Sequence, residues 1–225
     1  MRKRAIGPDA VVIDDLLDKE TFAAMGSELA NGRYESVHSR GWDKAWRVGD
    51  GVPLRGGAVY YDPFGAVDRP GARYPTSSVV DTFIDALRAL AAQHPEVVGR
   101  EGRDWRTIFL SPWLYPVGSA LSLHLDGGAY AGAFTYFAHP TWGMHWGGEL
   151  VLLDDDDDFV TPGAQLGVTG WLRRDEVGPA LGTCVFARPN RLALLGPQRP
   201  HLIHRVDLNA GDHVRTSLAG FFLRA

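Results

Sequence analysis

The chain changes its hydrophobic rhythm partway along. In the first part, two stretches repeat at helical spacing. Phe22, Met25 and Leu29 share one helix face, with Asp18 placed to cap a helix starting at Lys19 or Glu20 and Asn31-Gly32 placed to stop it. Val80, Phe83, Ile84, Leu87 and Leu90 form a second stripe, which predicts a helix capped by Ser77 or Ser78 that runs to about Gln93, with Pro95 beyond its end. Ahead of both, Val11-Val12-Ile13 reads as a short strand. From Trp105 onward the rhythm shortens to runs broken by Gly, Pro and Asp, at 106–110, 114–115, 120–126, 133–138, 149–153, 182–186, 191–195, 201–206 and 215–222. Closely spaced strands of this kind predict a sandwich, barrel or jelly roll.

One of those runs carries chemistry. Along Ala120–Gly128 side chains alternate between two faces if the run is a strand. Leu121, Leu123 and Leu125 fall on one face, and Ser122, His124 and Asp126 on the other. An imidazole and a carboxylate side by side are two ligands of a metal site that needs one more imidazole. Two His and one carboxylate leave positions open, the arrangement used by non-haem Fe(II) oxygenases. Near the C-terminus, His204 lies in the apolar run Leu202-Ile203-His204-Arg205-Val206, and alternation turns His201 the other way. His204 is the candidate third ligand, with His201 the rival. Arg215 and Ser217 then share a face of the next strand. A guanidinium there can fork onto the far carboxylate of a dicarboxylic cosubstrate, with the hydroxyl as a second donor.

Composition narrows the class. The 225 residues suit one domain, with 1–104 supplying helices and substrate-facing loops and 105–225 a jelly-roll core. The many Gly (27) and Pro (14) favour a turn-rich β architecture over a helix bundle. A net charge of −4 argues against a nucleic-acid partner, and the single Cys184 gives neither a disulfide nor a thiolate zinc cluster. No apolar stretch follows the basic N-terminus and none reaches the length of a membrane span, so a soluble cytoplasmic protein is expected. The five aspartates 154–158 read as a solvated loop, since like charges repel. Region 33–73 is rich in Gly and aromatics, including Trp42 and Trp46. It reads as a substrate-facing flap or as an aromatic packing layer. Trp171 and Arg173, in an insertion over 161–182, are further candidate substrate contacts, and His139 with His145 reads as packing or substrate contact.

The order His124-x-Asp126, His204, Arg215-x-Ser217 resembles the iron(II)/2-oxoglutarate-dependent oxygenases, specifically the prolyl 4-hydroxylase-like branch. Tyr115-x-x-Gly118 ahead of the metal strand, Gly147-Gly148-Glu149-Leu150, Pro189-Asn190-Arg191-Leu192 and the closing Arg215-Thr216-Ser217 strand resemble further motifs of that family. The resemblance covers Tyr115 to the C-terminus, with a weaker likeness over 11–29. It implies a mainly β protein with flanking helices, built on a double-stranded β-helix. His124, Asp126 and His204 would hold Fe(II). Arg215, with Ser217 or Tyr115, would hold 2-oxoglutarate, and O2 would complete the reaction. The implied activity is hydroxylation of a small molecule, such as a free amino acid or a natural-product intermediate, with release of succinate and CO2. The alternatives are a peptidyl or protein prolyl-type hydroxylase, and a cupin-like metal-binding protein without oxygen chemistry. A halogenase of this fold is disfavoured, since it would lack the carboxylate that Asp126 supplies.

Overall fold

The computed structural model describes residues 1–38, 48–153, 170–171, 181–197 and 199–224. Its elements in chain order are β1 (Arg2–Ala5), β2 (Ala10–Asp14), α1 (Lys19–Ala30), β3 (Tyr34–Ser36), β4 (Leu54–Gly56), β5 (Val59–Tyr61), β6 (Ala72–Arg73), α2 (Val79–Ala91), α3 (Pro95–Val98), β7 (Trp105–Tyr115), β8 (Leu121–Leu125), β9 (Tyr130–Phe137), β10 (Leu150–Leu153), β11 (Gly170–Trp171), β12 (Gly182–Val185), β13 (Arg191–Leu195), β14 (His201–Ile203) and β15 (Arg215–Arg224). The larger sheet runs β1-β2-β13-β9-β15-β7-β4-β3, with β5 and β6 joined beside β7, and the smaller runs β11-β8-β14-β10-β12. Sequence-distant strands become neighbours in both, as a double-stranded β-helix requires. No helix among the described residues is long and apolar enough to cross a membrane.

The helices form where local chemistry directs them. Asp18 accepts from Thr21 N and caps α1, and Ser78 accepts from Val80 N and caps α2. The α2 stripe Val80, Phe83, Ile84, Leu87 and Leu90 is buried against the outer face of the larger sheet. There the Phe83 ring lies 4.9 Å from that of Tyr136 and 6.0 Å from that of Phe134. Each such side chain contributes about 1.5–3 kcal/mol through burial. With one face of the larger sheet sealed by helices, its other face lines the space between the sheets.

The N-terminal part carries strands beside its helices and loops, and the expected strand at Val11–Ile13 is β2. Strands β1 to β6 all join the larger sheet. Strand β2 is fixed to β13 by Asp14, which takes a two-pronged contact from Arg191 (Nε to Oδ1, 2.6 Å; Nη2 to Oδ2, 3.1 Å). Two expected runs, 106–110 and 114–115, are one continuous strand, β7. Pro112 interrupts the sequence signal but not the strand. On the side away from β15 it falls between the β4 pairing at Trp113 and the β5 pairing at Leu110, where no ladder bond is asked of its missing N–H. Gly220 permits a close approach to β7, since a Cβ there would lie 1.9 Å from Phe109 O.

Candidate metal centre

Strand β8 turns His124 to the inside, and Asp126 follows directly after its end. Asp50 holds the start of that strand, accepting from Ser122 Oγ at 2.6 Å and from Ser122 N at 3.2 Å. Strand β14 lies beside β8 with His201 opposite His124. The two imidazoles sit with ring centroids 4.2 Å apart. His124 Nε2 is 3.7 Å from Asp126 Oδ1, and His201 Nε2 is 3.9 Å from Asp126 Oδ2. One ligand atom from each of the three lies within 4.8 Å of the others.

The remaining ring nitrogens are committed elsewhere. Nδ1 of His124 lies 2.9 Å from Ser122 O, and Nδ1 of His201 lies 2.7 Å from Arg199 O. A carbonyl can only accept, so each Nδ1 carries a proton and Nε2 is the nitrogen turned toward the cluster. Burial, reinforced by the neighbouring His201, pushes the His124 pKa down to about 3, so the ring is neutral at pH 7. Burial pushes Asp126 upward, against the pull of His201. A divalent cation among these atoms would reverse that penalty and favour the carboxylate. Two imidazoles and one carboxylate, with no thiolate, suit Fe(II).

The centre forms part of the wall of a cavity of about 350 Å³ between the sheets. Trp113, Tyr115, Leu121, Leu150, Thr135 and Ile203 line it. So do Arg55, Arg69, Tyr60, Phe109, Tyr130 and Phe221.

No family model and no curated protein matches the sequence. Solved structures do match. A Pseudomonas putida prolyl-4-hydroxylase superposes with a TM-score of 0.64 at 16% identity, over 97% of this chain and 94% of that one. A Trichoplax adhaerens prolyl hydroxylase, solved with a hypoxia-inducible factor peptide, gives 0.59 at 12% identity, over 96% and 84%. A Burkholderia pseudomallei oxidoreductase of the 2OG-Fe(II) oxygenase family gives 0.57 at 16% identity, over 96% and 85%. The fold is that of the 2-oxoglutarate/Fe(II) oxygenases.

Within this oxygenase fold the expected site residues separate. His124 and Asp126 come together as the strand pattern predicts. His204 does not join them, and this corrects the expected ligand set. Its ring is exposed, with Nδ1 3.2 Å from Glu149 Oε2. The alternation was right but the choice of inner face was not. His201 and Ile203 face the cavity, Leu202 and His204 face away, and regular strand ends at Ile203. Val206 is buried because the chain has left the strand by then, which made the His204 face look like the core face.

Arg215 and Ser217 point to the inside of the barrel and are fully buried. Arg215 Nε donates to Gly148 O at 2.7 Å and Nη1 to Ser217 Oγ at 3.1 Å, while Nη2 finds no partner. The guanidinium packs 4.9 Å from the ring centroids of both Tyr115 and Phe137. Tyr115 lines the cavity, and neither Arg215 nor Ser217 is among its lining residues. Burial pulls the Arg215 pKa down to about 10.

Trp42, Trp46 and Arg173 lie outside the described residues, as do the five aspartates. Trp171 is described as backbone only, paired in register with His124. His139 serves packing, with Nε2 2.7 Å from Ala187 O and its ring beside Trp142, while His145 is exposed. Region 33–73, expected as a substrate-facing flap, contributes Arg55, Tyr60 and Arg69 to the cavity lining, although sequence reasoning did not single out Arg55 and missed Phe109, Tyr130 and Phe221. Leu54-Arg55-Gly56 is too short to show alternation, and the three aromatics meet only through strand pairing.

Proposed function

We propose that this protein is an Fe(II)/2-oxoglutarate-dependent oxygenase that hydroxylates a small molecule, with Fe(II) held by His124, Asp126 and His201. The observation that carries the reading is the cluster of two Nε2 atoms and one carboxylate, all within 4.8 Å, in the cavity wall of an oxygenase fold. When bound, Fe(II) with 2-oxoglutarate and O2 supplies the oxidising chemistry that hydroxylates carbon and releases succinate and CO2.

The chain's own residues bind and orient. Ser122 O and Arg199 O hold the Nδ1 protons and aim both Nε2 atoms at one point. Arg215 supports the cosubstrate assignment through its Nη2, a buried donor without an acceptor beside Ser217. A buried donor left unpaired costs about 1–3 kcal/mol, more when charged, and a distal carboxylate would relieve it. Leu121, Leu150, Ile203 and Trp113 add apolar surface to the cavity that the centre faces. A cupin-like protein without cosubstrate has no use for that cation.

A cavity of about 350 Å³ sits at the lower end of ligand-pocket sizes and favours a small substrate over a peptide. The test is ligand-linked stability. 2-Oxoglutarate should raise the Tm when Mn(II) or Fe(II) is present and much less when the metal is chelated. A Tm indifferent to 2-oxoglutarate in the presence of metal would contradict the proposal.

A further inference from the structure

Strand β8 does not pair regularly with β14. His124 lies opposite His201 and Leu121 opposite Ile203, so three steps along β8 match two along β14. One extra residue therefore sits in β8 at Ser122-Leu123, a β-bulge. In a regular strand, residues three apart face opposite ways. Leu121 and His124 are nevertheless both buried, and both line the cavity. The bulge is what lets His124 face inward together with Leu121. A bulge also leaves a backbone group out of the ladder, and that group needs another partner. Here the partner comes from a 3-10 turn, Val48–Asp50, far earlier in the chain. The Asp50 side chain is buried. Its Oδ2 accepts from Ser122 N at 3.2 Å and its Oδ1 from Ser122 Oγ at 2.6 Å, while its backbone carbonyl accepts from Ala120 N at 2.8 Å. Ser122 O in turn accepts from His124 Nδ1 at 2.9 Å. The same turn is tied to the chain beyond β14, where Arg205 Nη2 donates to Gly49 O at 2.6 Å.

We propose that Asp50 is a positioning residue for the metal centre, which pins the bulge at Ser122 and so aims His124 Nε2 at the point shared with Asp126 and His201. The inference rests on the reading of those three residues as a metal centre. Two hydrogen bonds to one residue fix both the backbone and the side chain of Ser122. They fix with it the carbonyl that orients the His124 ring, and such outer partners tune a metal site. Without Asp50 the competing arrangement is regular pairing of β8 with β14. A slip of one residue turns a side chain to the opposite face of its sheet, so His124 would leave the cluster. A buried carboxylate that only supported the fold would, when removed, lower stability and leave the ligand set as it was.

The test uses full-length protein loaded with Mn(II), as wild type, Asp50→Ala, Asp50→Asn and Ser122→Ala. Asp14→Asn is the control, since it removes a buried carboxylate that pairs with Arg191 and not with β8. Two readouts are taken beside the melt. One is the Mn(II) Kd, and the other is the nitrogen couplings in pulsed EPR, which report coordinated imidazoles. Wild type should show two imidazoles. Asp50→Ala should bind Mn(II) about tenfold or more weakly and lose the couplings of one imidazole. Asp50→Asn keeps one acceptor for Ser122, and Ser122→Ala keeps its N–H, so both should fall between. Asp14→Asn should melt earlier yet keep the wild-type Kd and couplings. If Asp50→Ala loses its cooperative melt, Asp50→Asn and Ser122→Ala decide by the same two readouts. The inference is overturned if the folded Asp50 and Ser122 variants keep both imidazoles and the wild-type Kd. It is also overturned if Asp14→Asn weakens Mn(II) as much as they do. Wild-type protein that shows no pair of imidazoles on Mn(II) would instead sink the metal-centre reading itself.

Discussion

Replacing Arg215 with Leu separates what the cation does for the fold from what it does for a cosubstrate. The side chain is wholly buried, and burial lowers its pKa from 12.5 to about 10. Keeping it charged therefore costs on the order of 3 kcal/mol, and the penalty is fully present at pH 7, below the folded pKa. Its bonds to Gly148 O and Ser217 Oγ and its packing on Tyr115 and Phe137 offset that cost, while Nη2 gains nothing. Leucine removes the charge together with its penalty, so the ligand-free variant should melt close to wild type. Affinity for 2-oxoglutarate should behave differently. Losing one charged hydrogen bond costs about 1.5–3 kcal/mol, or roughly 10- to 150-fold in Kd. Arg215→Lys keeps the charge but loses the fork and should weaken binding less. The assay is calorimetric titration of 2-oxoglutarate into Mn(II)-loaded protein, with the metal Kd measured separately. A 2-oxoglutarate Kd unchanged in Arg215→Leu would refute the assignment. A metal Kd that weakened in parallel would show that the substitution had disturbed the whole site.

Two further predictions concern the frame around the site. Gly220→Ala should prevent β15 from pairing with β7, because the new Cβ would meet Phe109 O at 1.9 Å. The readout is loss of the cooperative melt by circular dichroism, and a near-wild-type Tm would show that the sheet can shift at little cost. The Arg191 hydrogen bond to Asp14, against some burial, holds that carboxyl below its usual pKa of 3.8. The stability it contributes is present above that pH and lost as pH falls through the lowered value, so Asp14→Asn should destabilise at pH 7, by about 3 kcal/mol, and flatten the acid limb of the stability curve. Equal acid sensitivity in variant and wild type would contradict this.

Where sequence pattern and packing agreed, the fold was legible. The α2 stripe and the caps Asp18 and Ser78 translate directly, because amphipathic spacing and capping are local properties. His124 and Asp126 were legible for the same reason, since alternation within one strand fixes their common side. The third ligand was not. Choosing between His201 and His204 requires knowing which face of β14 is inside, and Leu202 and Val206 suggested the wrong one. Strand β2 was legible in Val11-Val12-Ile13, but how the N-terminal strands join the sheet and how the cavity aromatics meet depend on pairing between residues far apart in the chain, such as Arg55 with Trp113 and Phe221 with Phe109, and no local signal records that.

The central claim is that His124, Asp126 and His201 form one metal centre. The direct measurement is the Mn(II) or Fe(II) dissociation constant of His201→Ala beside that of His204→Ala, each checked for an intact melt. His201→Ala should lose a ligand and weaken binding by at least about tenfold, whereas His204→Ala should bind metal as wild type does, since its exposed ring pairs with Glu149 and lies outside the cluster. The reverse result, with His204→Ala losing the metal and His201→Ala keeping it, would contradict the register of β14 and the site built on it.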